Sequence, residues 1–188
     1  MFKQLLKSLL IASIVTSSLA FADIIEGSGK VAYVIDGDTM WITTDKKSTW
    51  TAITKGASKK SVRFSDQSFK TRLLNINTEE SVHQTKSRNT PFGKMSGQVA
   101  KNEMNGKTVT FKCDGVGKYG RPLCSIYAQG NDFAQGLIER GISPYVTKYG
   151  RHKWADKGYA ASELYAKRNK LGMWGANKEA SIKQWLPQ

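Results

Sequence analysis

Cysteine and histidine are scarce: the 188 residues hold two of each. Two cysteines argue against a structural zinc site, which needs four ligands. His83 and His152 both fall in stretches read as loops, and nothing in the sequence brings them together. That counts against a metal-independent ribonuclease built on a histidine pair. Acids are also few, 15 against 29 Lys and Arg, giving a formal charge of +14 and a pI near 9.8. The basic residues run through the whole chain rather than forming a tail. Such a balance suits a polyanionic partner: nucleic acid, acidic polysaccharide or an anionic surface. Beyond residue 22 no apolar run is long enough to cross a bilayer, so no stable membrane anchor is expected.

Residues 1–22 read as a secretory signal peptide. Lys3 and Lys7 supply a positive start, Leu9 to Leu19 is a short apolar stretch with three serines, and Ala20-Phe21-Ala22 is a small-residue cleavage pattern. The chain is therefore expected to be exported, to the periplasm or beyond, starting from Asp23. No cysteine lies near that site to carry a lipid. In an oxidising compartment, Cys113 and Cys124, which flank a Gly-rich turn region, are expected to form one disulfide across a hairpin.

The length fits one domain, taken as 23–178, with residues 179–188 as a C-terminal surface tail. Lys30–Ile35 and Thr39–Thr44 read as a hairpin around Asp36-Gly37-Asp38. That turn is not an EF-hand loop, because the further acids and closing Glu are missing. Residues 45–70 read as an elaborated basic connection, with strand-like pieces at Trp50–Ile53 and Val62–Phe64. Thr90-Pro91 opens a helix to about Asn105, in which Gly93 and Gly97 are weak points. Thr108–Lys112 and Leu123–Ala128 read as strands. Asn131-Asp132 caps a short helix, Phe133 to Arg140, ended by Gly141, and a last helix spans about Ala155 to Lys170.

The most informative stretch is Arg72-Leu73-Leu74-Asn75-Ile76-Asn77-Thr78-Glu79-Glu80. It reads as a strand packed on both faces that leaves the sheet at its rim. Oxygen donors gathered at a strand end suit a hard cation, and an arginine on the same strand can hold an anion beside it. Further on, Lys118-Tyr119-Gly120-Arg121 offers cations for phosphate and an aromatic ring for a base or sugar. Strands in hairpins with helices inserted late predict a mainly β, α+β fold: a five-stranded OB-type barrel with about three helices.

Several of these pieces, in this order, resemble the staphylococcal nuclease family. They are Val34-Ile35-Asp36-Gly37-Asp38-Thr39, Arg72-Leu73-Leu74 through Asn77-Thr78-Glu79-Glu80, Lys118-Tyr119-Gly120-Arg121, the Asn131 helix ending at Arg140-Gly141, and Ala161–Lys167 through Leu171-Gly172-Met173-Trp174. The resemblance implies an OB-fold enzyme that hydrolyses phosphodiester bonds of DNA and RNA with calcium and leaves 3′-phosphates. It implies Asp38, Asn77 and Thr78 as metal ligands, the last through its carbonyl. Arg72 and Arg121 become phosphate clamps, and Glu80 the acid that positions or deprotonates water. Lys118, Tyr119 and Tyr149 line the nucleotide site. A monomer acting on DNA or RNA, with single strands preferred, is expected.

Three departures from the family pattern stand out. Asn77 replaces an acid, which removes a negative charge and weakens calcium binding; Asp36 or Glu79 can compensate. Glu79 stands where the family usually has proline, so Glu79 and Glu80 compete for the water role, and the Thr-plus-two spacing favours Glu80. The 45–70 connection is longer than in the family's simplest members. The alternative to an enzyme is a catalytically weak OB-fold module that only binds nucleic acid, for which Asn77 is the main support.

Overall fold

The computed structural model describes residues 24–82, 85–148, 154 and 156–187. Residues 1–22, His83, Tyr149 and His152 lie outside the described residues.

The chain runs β1 (Ile25–Asp36), β2 (Thr39–Thr44), α1 (Lys47–Thr54), β3 (Val62–Arg63), β4 (Ser68–Leu73) and α2 (Pro91–Met104). It continues through β5 (Thr108–Val116), β6 (Pro122–Ala128), β7 (Asn131–Asp132), α3 (Phe133–Glu139), α4 (Asp156–Arg168) and α5 (Lys178–Ile182). The sheet order is β3-β4-β2-β1-β5-β6-β7. Parallel pairing of Arg72 with Leu123 and Leu73 with Cys124 joins β4 to β6 and closes five strands into a barrel. This is the expected OB-type, α+β architecture. Its interior is filled by Val31, Met40, Ile42, Phe69, Phe111 and Ile126, all at most 1% exposed. Cys113 and Cys124 stand opposite each other on β5 and β6 and form the expected disulfide, buried beside the closing seam.

Three local expectations are corrected. Trp50–Ile53 is helical, not strand-like. Trp50 and Ile53 lie three apart, so a helix points both to one face, where they are buried. The Trp50 indole then donates to the Ser68 carbonyl at 3.1 Å. With α1 and α5 added, the helices number five among the described residues rather than about three. The central strand spans Ser68–Leu73 and stops earlier than the apolar run suggests. Asn75 turns the chain with φ +58°, a region its short amide side chain tolerates. Its backbone and side-chain bonds to Val146 then bury Leu74 and Ile76 outside the strand.

The third correction concerns residues 179–188. Ile182 is completely buried, and Trp185 and Leu186 pack against the core. Lys178 pairs with Glu79 at 2.5 Å. The segment through Leu186 is thus part of the body and not a surface tail.

Candidate active site

One rim of the barrel collects the end of β1, the start of β2, the end of β4 and the start of β6. The hairpin turn brings Asp36 and Asp38 there. Cross-strand pairing sets Thr39 opposite Arg72, and β6 pairing sets Arg72 opposite Leu123, next to Arg121 in sequence by one intervening proline.

Asp38 is 1% exposed, and every oxygen of its carboxylate is engaged. Oδ1 pairs with Arg72 and accepts from the Thr39 hydroxyl at 3.0 Å; Oδ2 accepts from the Thr78 amide at 3.1 Å. Arg72 also donates through Nη2 to Asn77 Oδ1 at 2.6 Å and to the Ile76 carbonyl at 3.4 Å. One guanidinium thus spans two of the three residues expected to ligate metal. Arg121 donates to the Thr39 hydroxyl at 3.1 Å, so Thr39 links it to Asp38.

The charges interact strongly. Burial lowers the Arg121 pKa, Arg72 adds to that effect, and Asp38, Asp36 and Glu80 oppose it. Asp36 is pushed up to about 7, chiefly by burial and then by the Asp38 charge, with Arg72 pulling the other way. Two guanidiniums and three carboxylates therefore share one electrostatic neighbourhood.

Glu79 and Glu80 have different surroundings. The Glu79 carboxylate accepts from the Thr90 hydroxyl at 2.6 Å and from Lys178 at 2.5 Å. Burial acts to raise its pKa, but these bonds and the Lys178 charge outweigh it and hold the acid below its ordinary value. It is committed to fastening α2 and α5. Glu80 is held by its backbone: its carbonyl accepts from the Thr90 amide at 3.1 Å. Gly93, on the first turn of α2, permits this approach, since a Cβ there would lie 2.2 Å from the Glu80 carbonyl oxygen. Gly97 similarly lies against Ser81 and the Asp36 backbone. The two glycines that weaken α2 on propensity are the points where the site segment rests on it.

The loop with Lys118 and Tyr119 leaves both side chains exposed, Tyr119 at 75%. Gly120, at φ +69°, turns this loop against the 45–70 connection, where the Ser58 amide donates to the Gly120 carbonyl at 2.9 Å. Arg72, Asp38, Asn77, Thr78, Glu80 and Arg121 are brought to one rim, with Lys118 and Tyr119 beside Arg121 in the loop. Thr39 is the residue that sequence reading passed over. Its signal was the hairpin register, which sets a hydroxyl next to Asp38 and opposite the Arg72 position.

The side-chain donors around Asp38 are oxygens, from the Asp36 and Asp38 carboxylates and the Asn77 amide, while the Thr78 main chain presents its amide to Asp38. They fit a hard cation such as calcium rather than a soft metal. Among the described residues, no group of three or more His, Cys, Asp or Glu forms a ready metal cluster.

A comparison with known protein families matches residues 70–176 to the family described as staphylococcal nuclease homologue. The matched segment contains Arg72, Asn77, Thr78, Glu80, Lys118, Tyr119 and Arg121 on the barrel and rim described above. It covers more than half of the sequence, and the chain belongs to the staphylococcal nuclease homologue family.

Proposed function

We propose that this protein is an exported, calcium-dependent nuclease that hydrolyses phosphodiester bonds of DNA or RNA at the Arg72–Arg121 rim. The observation that carries this reading is the convergence of two guanidiniums with Glu80 beside a buried carboxylate. Binding alone needs the cations, whereas hydrolysis also needs a group to accept a proton.

Attack of water on phosphorus builds negative charge on the phosphoryl oxygens. Arg72 and Arg121 are charged, fixed by neighbours and partly shielded from water, so they stabilise that charge with little reorganisation. Glu80 takes the proton from the attacking water. A new P–O bond forms, the bond to the 5′ oxygen breaks, the departing oxygen takes a proton from solvent as Glu80 returns its own to solvent, and a 3′-phosphate is left. Calcium, when bound by Asp38, Asn77 and the Thr78 carbonyl, supplies Lewis-acid charge that polarises the phosphate. Lys118 and Tyr119 hold the neighbouring nucleotide, joined by Tyr149. Export is supported by the 1–22 pattern and by the disulfide, which persists in oxidising compartments.

A binding-only module is the second reading, favoured by the neutral Asn77. Cleavage of single-stranded DNA by the wild type, Glu80→Ala and Arg121→Ala separates the two. The expected result is turnover by the wild type and a loss of at least a hundredfold in each variant with unchanged thermal stability. Wild-type-like turnover in either variant would sink the assigned roles.

A further inference from the structure

We propose that the outer face of β1, β2 and β4, with Arg63 of β3, is a second binding track that holds single-stranded nucleic acid adjoining the scissile phosphate. This rests on the nuclease reading for its direction, because the track is continuous with the Arg72–Arg121 rim.

The track is a cross-strand row. Tyr33 pairs with Trp41, and Trp41 pairs with Lys70. The next row on the same face, two residues along, is Thr39 with Arg72 in the active site. Two residues of strand separate the rows by about 7 Å. Over the row lies Arg63, whose guanidinium is 4.1 Å from the Trp41 ring centre and 5.2 Å from that of Tyr33. It also donates to the Tyr33 hydroxyl at 2.8 Å. Lys70 reaches over the Trp41 ring at 5.8 Å.

The cations here are crowded, and their contacts are with rings rather than with acids. Burial lowers the Lys70 pKa, and Arg121, Lys60 and Arg63 each add to that effect. Among the described residues, none of Lys60, Arg63 and Lys70 forms an ion pair with a carboxylate. Like charges gathered without acids raise the energy of the free protein and are relieved by a polyanion. A half-exposed tyrosine and a planar guanidinium supply stacking surfaces for a base. Only an unpaired strand offers free base faces, so the combination selects single strands over duplex.

The test measures binding in chelator, where no turnover is needed. A labelled oligothymidylate of about twelve nucleotides, a duplex of equal length and an acidic polysaccharide are titrated against the wild type, Lys60→Glu and Arg63→Ala. Lys94→Glu, on an exposed face of α2, matches the charge change of Lys60→Glu. Cleavage of a thymidine dinucleotide with calcium is followed in parallel. Both track variants are expected to weaken oligothymidylate binding at least tenfold and to flatten its salt dependence by about one phosphate contact, while dinucleotide cleavage and Lys94→Glu stay near wild type. Lys60 is exposed, so its variant reads binding even if Arg63→Ala loosens β3. Unchanged oligothymidylate binding in Lys60→Glu overturns the track. So does an equal loss for duplex or polysaccharide, which would mark an unspecific anion patch. If the variants behave as expected but no dinucleotide is cleaved, the track stands and the catalytic reading falls.

Discussion

Arg72 is the residue on which the rim depends most, because it holds two site residues at once. In the free protein it neutralises the buried Asp38 and bonds Asn77. Removing it leaves a carboxylate buried without its counter-charge, which costs about 3 kcal/mol. Arg72→Ala is therefore expected to lose stability as well as cleavage, whereas Arg121→Ala loses cleavage alone. Urea unfolding of the two variants separates these outcomes; equal stability would mean that Asp38 does not depend on Arg72. At Asn77 the expectation concerns affinity. Asn77→Asp restores a negative ligand, so half-maximal cleavage should need roughly tenfold less calcium. An unchanged or higher requirement would remove Asn77 from the ligand set. The placing of Arg72 and Arg121 at one rim was legible from the order of motifs that resemble the family. The different fates of Glu79 and Glu80 were not, since they are decided by Thr90 and Lys178, the latter far off in sequence.

Among the elements, α2 does more than cover the barrel. Thr90 caps it by accepting from the Gly93 amide at 2.9 Å, and the same hydroxyl donates to Glu79. Gly93 lets the Glu79–Glu80 backbone lie against the first turn. Gly93→Ala raises helix propensity by up to about 1 kcal/mol, yet its Cβ would meet the Glu80 carbonyl. The chain at Glu80 must move, and a displacement near 1 Å at a catalytic group costs on the order of a hundredfold. Gly93→Ala is accordingly expected to lose turnover while keeping its helix content by circular dichroism. Full activity would show that Glu80 is positioned otherwise. The cap and proline of α2 were readable from Thr90-Pro91, as were β2, β6 and α3 from their patterns and caps. The helix α1 was not, because its Trp and β-branched residues mimic a strand and only the pocket beneath Trp50 decides the matter. The end of β4 was hidden for a similar reason: Leu74 and Ile76 are as buried as strand residues but are held by Asn75 and Val146.

For the whole molecule, barrel closure and charge act together. The β4–β6 seam that closes the sheet also sets Arg72 beside Arg121, so folding the barrel assembles the rim. The disulfide lies at this seam, with Cys124 accepting from the Leu74 amide at 3.0 Å. A charge of +14 draws polyanions to the surface, and the rim gives that attraction a place to act. The order of motifs was enough to predict the architecture, while the docking of residues 178–186 depended on partners that local sequence does not display. The most direct measurement is cleavage of single-stranded DNA by the purified protein as calcium is raised from chelator to saturation, with binding followed in the same samples. Cleavage is expected to be absent in chelator and to rise saturably with calcium, with binding throughout. Binding without cleavage at every calcium concentration, or cleavage undiminished in chelator, would contradict the nuclease reading.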